Sequence, residues 1–217
     1  MIHETRHKVN LSLLHDCSTF GNSDKLILNK PTGDFFYDPW VILDEYKGTA
    51  IEEVLSVLPP NTGEARIITL KSGSCYYSHS DIDDRYHLNL SGDCAALVNL
   101  DNNQNFFLKP DGIWYDMDAS PRHSAVNFGE YDRKQLVVRK LLINNKISSP
   151  VTVLITARGK NPRFKFDNTL SPWLNIANKS GIITNFKQGQ TSVKFDIEEA
   201  YVPVLKNLLP KEFSYEY

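Results

Sequence analysis

The chain has 217 residues, 41% of them hydrophobic and 23% charged, enough to bury a core in one large domain or in one domain with an appendage. A formal net charge of −2 argues against nucleic acid as the main partner, because neutralising phosphates takes a concentrated basic surface. No apolar run approaches a membrane span, the charged start Met1 to Lys8 lacks the apolar core of a secretory signal, and Cys17, Cys75 and Cys94 have no metal-type spacing, so a cytoplasmic protein with reduced thiols is expected.

In chain order, Val9 to Asn61 is a mixed segment. It holds a short apolar stretch at Leu11 to Leu14, a turn-rich passage at Asn29 to Asp34, and an aromatic cluster of Phe35, Phe36, Tyr37 and Trp40. Thr49 to Leu58 has apolar residues at helical spacing, acids in its first turn and Pro59-Pro60 after it, which predicts an amphipathic helix. From Glu64 to Ile143 the pattern is nearly all strand: Arg66 to Leu70, Tyr86 to Leu90, Ala95 to Leu100, Asn105 to Leu108, Ile113 to Met117, Ala125 to Phe128 and Gln135 to Ile143. Asp101-Asn102-Asn103-Gln104 and Pro110-Asp111-Gly112 read as hairpin connections. Many short strands with regular turns predict a barrel or jelly roll whose mouth can hold a ligand or metal. After Ser148-Ser149-Pro150 the pattern becomes α+β: a strand at Val151 to Thr156, a short helix at Ser171 to Asn178, two strands within Gly181 to Ile197, and a helix from Glu198 to Leu209. The expected division is therefore 1–147 and 148–217.

One stretch carries chemistry. His79-Ser80-Asp81, followed some forty residues later by His123, has the composition of a two-His-one-carboxylate facial triad, which leaves positions on a non-haem iron open. If Tyr77 to Ile82 is extended, His79 and Asp81 leave the same face, while His123 arrives from another strand beyond the bend at Pro121. Ten positions after His123 stands Arg133, at the head of a strand-like run, able to pair bidentately with a carboxylate. Arg85 and His87 share a face by the two-residue rule and can donate hydrogen bonds to a second carboxylate near the metal. Strand alternation splits Arg133 and Arg139 from Lys134 and Lys140. Asp83 and Asp84 read as solvated loop acids, Arg122 and Asn127 as neighbours supporting His123, and Trp114 as core. His3, His7 and His15 lie near an amino terminus expected to be mobile and are not read as ligands.

The ordered set His79, Arg85-Tyr86-His87-Leu88-Asn89-Leu90, His123 and Arg133, with Ala65 to Gly73 leading into it, resembles the aspartyl/asparaginyl β-hydroxylase family of Fe(II)- and 2-oxoglutarate-dependent oxygenases. The resemblance covers roughly Gly63 to Leu142. It implies a mainly β, double-stranded β-helix core of the jelly-roll or cupin-like kind, to which the residue pattern adds flanking helices and a small α+β carboxy-terminal extension. It implies that His79, Asp81 and His123 bind iron, that Arg85 and His87 hold the 2-oxoglutarate carboxylate near the metal, and that Arg133 holds the distal one. O2 is then the second co-substrate, and a free or peptidyl amino acid is hydroxylated with release of succinate and CO2. Asp81 is present as in bacterial relatives resembling the free-proline cis-hydroxylases, and related halogenases need a small residue there, so hydroxylation is favoured. Two other classes stay open on the residues alone: a zinc hydrolase with the same three ligands, and a non-catalytic jelly-roll binding module.

Overall fold

The computed structural model describes every residue except 1, 22, 82, 120, 143–148, 158–169, 171–173, 176, 179–180 and 210–212. Two compact units divide the chain, Met1–Leu142 and Ile143–Tyr217.

The first unit opens with strand β1 (Ile2–Lys8) and helix α1 (Leu11–Thr19), whose cap Asn10 accepts a hydrogen bond from the Ser12 amide. The short strands β2 (Lys25–Ile27), β3 (Asn29–Pro31) and β4 (Trp40–Ile42) follow. Helix α2 (Ala50–Ser56) starts at Thr49, which caps the Ile51 amide, and carries Glu52 and Glu53 in its positive first turn. It stops short of Pro59-Pro60, which cannot continue a helix. Then come β5 (Thr62–Leu70), β6 (Arg85–Asn89), β7 (Ala95–Asn99), β8 (Gln104–Phe107), β9 (Ile113–Met117), β10 (His123–Asn127) and β11 (Arg133–Lys140).

These strands make a mainly antiparallel β sandwich of the jelly-roll type. One sheet has the order β1-β9-β6-β11-β5-β2, the other β10-β7-β8, and β3 pairs β4. Period-two alternation gives the larger sheet two different faces. Ala65, Ile67, Leu88, Leu136 and Val138 point outward and are buried against α1 and α2 through Leu14, Cys17, Ile51 and Val54. Leu70, Tyr115 and Met117 point inward and pack with Leu97 and Ala125 of the smaller sheet. The other inward positions, Arg66, Arg85, His87, Arg133, Gln135 and Arg139, line a cavity in place of a sealed core.

Two expectations change and one holds. The amino terminus is a strand: Ile2 pairs with Met117 and Glu4 with Tyr115, completing the sheet edge. Pro110-Asp111-Gly112 is a crossing between sheets, because β8 and β9 lie in different ones, with Gly112 at φ +82°. The turn at Asp101 to Gln104 is the hairpin expected, closed by the Asn99–Gln104 pair with Asn103 at φ +57°.

The second unit contains β12 (Pro150–Ala157), β13 (Ile183–Gln188), β14 (Ser192–Glu198), helix α3 (Val202–Leu208) and β15 (Phe213–Glu216), in the sheet order β13-β14-β12-β15. Val153 pairs with Phe195 and Ile155 with Val193, all fully or almost fully buried. β15 carried no turn-bounded apolar signal and is found only through its pairing with β12. The helix expected over Ser171 to Asn178 falls largely outside the described residues. Among the described residues no helix is long and apolar enough to cross a membrane.

Candidate metal centre and its cavity

His79 and Asp81 stand on a bridge segment, where a regular strand was expected. The segment runs antiparallel to β10 through isolated pairs at Cys75↔Val126 and His79↔His123. At the second pair the two histidines exchange both backbone hydrogen bonds, at 2.9 and 2.8 Å, so their side chains stand next to each other on one face. Asp81, two residues on, keeps the extended direction through its amide bond to the Ala119 carbonyl, at 2.9 Å. Asp81 Oδ2 consequently lies 3.4 Å from Nε2 of His79 and 3.4 Å from Nε2 of His123. The ring centroids are 4.4 Å apart.

The backbone also sets the chemistry of those nitrogens. Nδ1 of His79 is 2.9 Å from the Tyr77 carbonyl, and Nδ1 of His123 is 2.9 Å from the Pro121 carbonyl. A carbonyl only accepts, so each Nδ1 donates, and in the neutral ring Nε2 is left with its lone pair. Two nitrogen lone pairs and one carboxylate oxygen thus converge within 4.8 Å of one another. Donors each about 2.1 Å from a shared ion lie roughly 3.0 to 3.4 Å apart, which the Asp81 contacts match. The buried Oδ2 has no hydrogen-bond partner among the described residues, as a metal-directed atom would not. Burial works to raise the Asp81 pKa, but the His123 and His79 rings and the Arg85 guanidinium overcome it and hold the carboxyl well below its usual range. Asp81 in turn raises the pKa of His79, so proton and metal compete for one lone pair. The residues fit a transition-metal ion with open positions.

His79 and His123 border a cavity of about 430 Å³, within the range of small-ligand sites. Along β6 the inward residues are Arg85, His87 and Asn89, in order from the metal cluster to the far end. Arg85 Nη2 is 2.6 Å from Asp81 Oδ1. Asn89 Oδ1 accepts from Arg133 Nε at 3.4 Å. Between them, His87 is 5% exposed, and neither ring nitrogen has a hydrogen-bond partner among the described residues. Burial pushes its pKa down to about 3, with Gln135 opposing, so the ring is neutral.

Arg133 is 2% exposed, and its Nη2 has no hydrogen-bond partner among the described residues. Nor does any acidic side chain among them pair with it. Burial lowers its pKa to about 10, which still leaves it charged at neutral pH. Lys134 and Lys140 leave by the other face, as alternation requires: Lys134 donates to the Ser18 and Phe20 carbonyls, and Lys140 to Asp116 at 2.6 Å.

Asp83 is not a solvated acid. It is 2% exposed, with Oδ1 accepting from Arg139 Nη1 at 2.8 Å and Oδ2 lying 3.5 Å from Arg85 Nε. Burial raises its pKa despite those two arginines. Arg139 Nε donates to Glu64 at 3.2 Å, and Glu64 also pairs with Arg66 and with Lys25. Sequence reasoning missed this charge chain, along with Tyr76 on the cavity wall; the signal for Asn89, Gln135 and Arg139 was their parity with His87 or Arg133 along the same strand, whereas Arg66 reaches this face only by the pairing of β5 with β11. Arg122 is a surface group 3.6 Å from Asp101. Asn127 shapes the turn into β11, donating to the Leu70 and Tyr131 carbonyls. Trp114 is fully buried on the helical side of the sheet.

No protein-family model and no curated protein matches the chain. Among solved structures it is similar to a Pseudomonas putida prolyl-4-hydroxylase at 12% identity and TM-score 0.44, over 65% of this chain and 92% of that one. It is similar to the DMSP lyase DddQ of Ruegeria pomeroyi DSS-3 at 14% identity and TM-score 0.31, over 40% of this chain and 42% of that one. CapF shows 12% identity and TM-score 0.33, over 55% of this chain and 31% of that one.

Proposed function

We propose that the chain is an Fe(II)- and 2-oxoglutarate-dependent dioxygenase that hydroxylates a carbon of an amino acid, free or within a peptide. The observation that carries this reading is one cavity bordered by both histidines of the two-His-one-carboxylate cluster and by a buried guanidinium with no acidic partner among the described residues. A buried, unpaired cation is costly, and an anionic ligand offsets that cost.

His79, Asp81 and His123 would hold the iron, with their carbonyl-bonded Nδ1 protons fixing the tautomer. Bound iron, with 2-oxoglutarate and O2, supplies the oxidation: the keto acid is lost as succinate and CO2 and one oxygen atom enters a substrate C–H bond. Arg133 would grip the distal carboxylate of the co-substrate through a charge-assisted pair, steadied by Asn89 on Nε. Neutral His87 can donate to the near end without adding charge. The apolar inward residues, among them Leu97, Met117 and Val137, keep water from the reacting atoms.

Protein purified anaerobically, loaded with Fe(II) and 2-oxoglutarate and then given O2, tests the reading. Succinate should form, vanish in His79→Ala and fall strongly in Arg133→Ala. Retention of zinc with no keto-acid turnover would instead favour a hydrolase and end the proposal.

A further inference from the structure

Arg85 does not sit free for a ligand. Its guanidinium lies between two carboxylates: Nη2 is 2.6 Å from Asp81 Oδ1, and Nε forms an ion pair without a hydrogen bond to Asp83 Oδ2 at 3.5 Å. Asp83 is fixed from its other oxygen by Arg139, and Arg139 by Glu64, so the charges alternate in sign along Asp81, Arg85, Asp83, Arg139 and Glu64. All five side chains are less than one-fifth exposed. One oxygen of Asp81 is thereby tied to Arg85, and the other is left facing the two Nε2 atoms.

We infer that Arg85, itself held by Asp83, is a positioning residue for the metal ligand Asp81, in place of the co-substrate contact that the family resemblance gives it. The inference rests on the metal-centre reading above. Its physical content is orientation: a carboxylate free to rotate presents either oxygen or both, whereas one pinned through Oδ1 presents Oδ2 alone at the cluster. Groups that orient a ligand in this way are worth about 10- to 100-fold in metal affinity. A contact to the co-substrate would leave metal affinity unchanged and weaken keto-acid binding.

Co(II) titration of metal-free protein, read by its visible absorption, followed by calorimetric titration of the Co(II)-loaded protein with 2-oxoglutarate, separates the two roles. Arg85→Lys is the variant to use, because it keeps the charge near the ion and loses the two-pronged geometry. The expected result is Co(II) binding weakened about tenfold or more with an altered spectrum, and 2-oxoglutarate affinity of the loaded protein within about twofold of wild type. Asp83→Asn should weaken Co(II) binding as well, and the double variant should be no weaker than Arg85→Lys alone, since Asp83 acts through Arg85. Additive losses would show that Asp83 acts only as a nearby charge and overturn its part. Wild-type Co(II) affinity in Arg85→Lys with lost keto-acid binding overturns the inference and leaves the metal centre intact. Absence of Co(II) binding to the wild-type protein ends the metal-centre reading and the inference with it. Should Asp83→Asn fail to fold by circular dichroism, the Arg85→Lys pair of titrations decides alone.

Discussion

A guanidinium 2% exposed, its Nη2 unpartnered and no acidic side chain paired to it among the described residues, destabilises the fold unless a ligand shares it. Arg133→Met, similar in length and apolar, should therefore leave the ligand-free protein at least as stable as wild type. Charge-assisted hydrogen bonds are worth about 1.5 to 3 kcal/mol, so the same change should weaken 2-oxoglutarate binding by roughly 10- to 150-fold. Thermal unfolding of the metal-loaded protein with and without keto acid reads both effects; a lower Tm without ligand would mean that Arg133 is a structural group. His87 makes an independent statement. Its folded pKa of about 3 lies below the ordinary histidine value of about 6.5, so the buried neutral ring favours the fold fully above about pH 6.5, and that stability is lost as pH falls towards 3. His87→Leu should flatten the acid side of the stability curve by up to about 1.4 kcal/mol per pH unit. Urea unfolding at pH 7, 5.5 and 4.5 checks it, and parallel curves for the two proteins would show the ring to be solvated. At this scale, spacing made the His79 and Asp81 pair legible, because His-x-Asp on an extended segment needs no tertiary information, while the approach of His123 depends on its pairing with His79. Asp83 was misread because nothing local marks its burial: Arg85 is only two residues on, but Arg139, which donates to Asp83, is brought beside it only through β6–β11 pairing.

Strands β6 and β11 present the site. Gln135 opposite Asn89 and Val137 opposite His87 place the inward residues of both strands on one wall. The approach of Gly92 sets where Arg133 sits. This glycine has φ +93°, and a Cβ there would meet Arg133 Cβ at 3.2 Å and its Cα at 3.3 Å. Gly92→Ala should cost about 1 to 3 kcal/mol of stability through the left-handed backbone and the crowding together. It should also weaken keto-acid binding more than metal binding, because the strain falls on Arg133 and not on His79 or His123. Chemical unfolding with paired metal and 2-oxoglutarate titrations tests this, and equal losses for both ligands would point to general loosening. Parity could group Gln135 and Arg139 with Arg133 and Asn89 with His87, but Arg133 to Lys140 runs as three polar residues, three apolar and two basic ones, so no alternation marked the inward face as polar. What parity cannot supply is sheet order. β1 was overlooked because Ile2 to Lys8 alternates weakly and is charged, its place being an edge paired only with β9.

The first unit, Met1–Leu142, contains every residue assigned to the metal cluster, the charge chain and the cavity. The mainly β jelly-roll architecture was legible because short strands punctuated by turns have few alternatives at this length. Which face of the larger sheet would carry helices was not legible, since both faces are built from alternating positions, and only the packing of α1 and α2 against Leu88, Leu136 and Val138 distinguishes them. On the proposed function, one ion and one keto diacid bind side by side in a single cavity, each held by different residues. Anaerobic calorimetric titration of Fe(II)-loaded protein with 2-oxoglutarate tests it most directly. The expected result is one keto acid per chain, bound only when one iron is present, with iron uptake lost in His123→Ala and keto-acid binding weakened roughly 10- to 150-fold in Arg133→Met while iron stays bound. Wild-type affinity for 2-oxoglutarate in iron-free protein, or undiminished iron binding in His123→Ala, would contradict it.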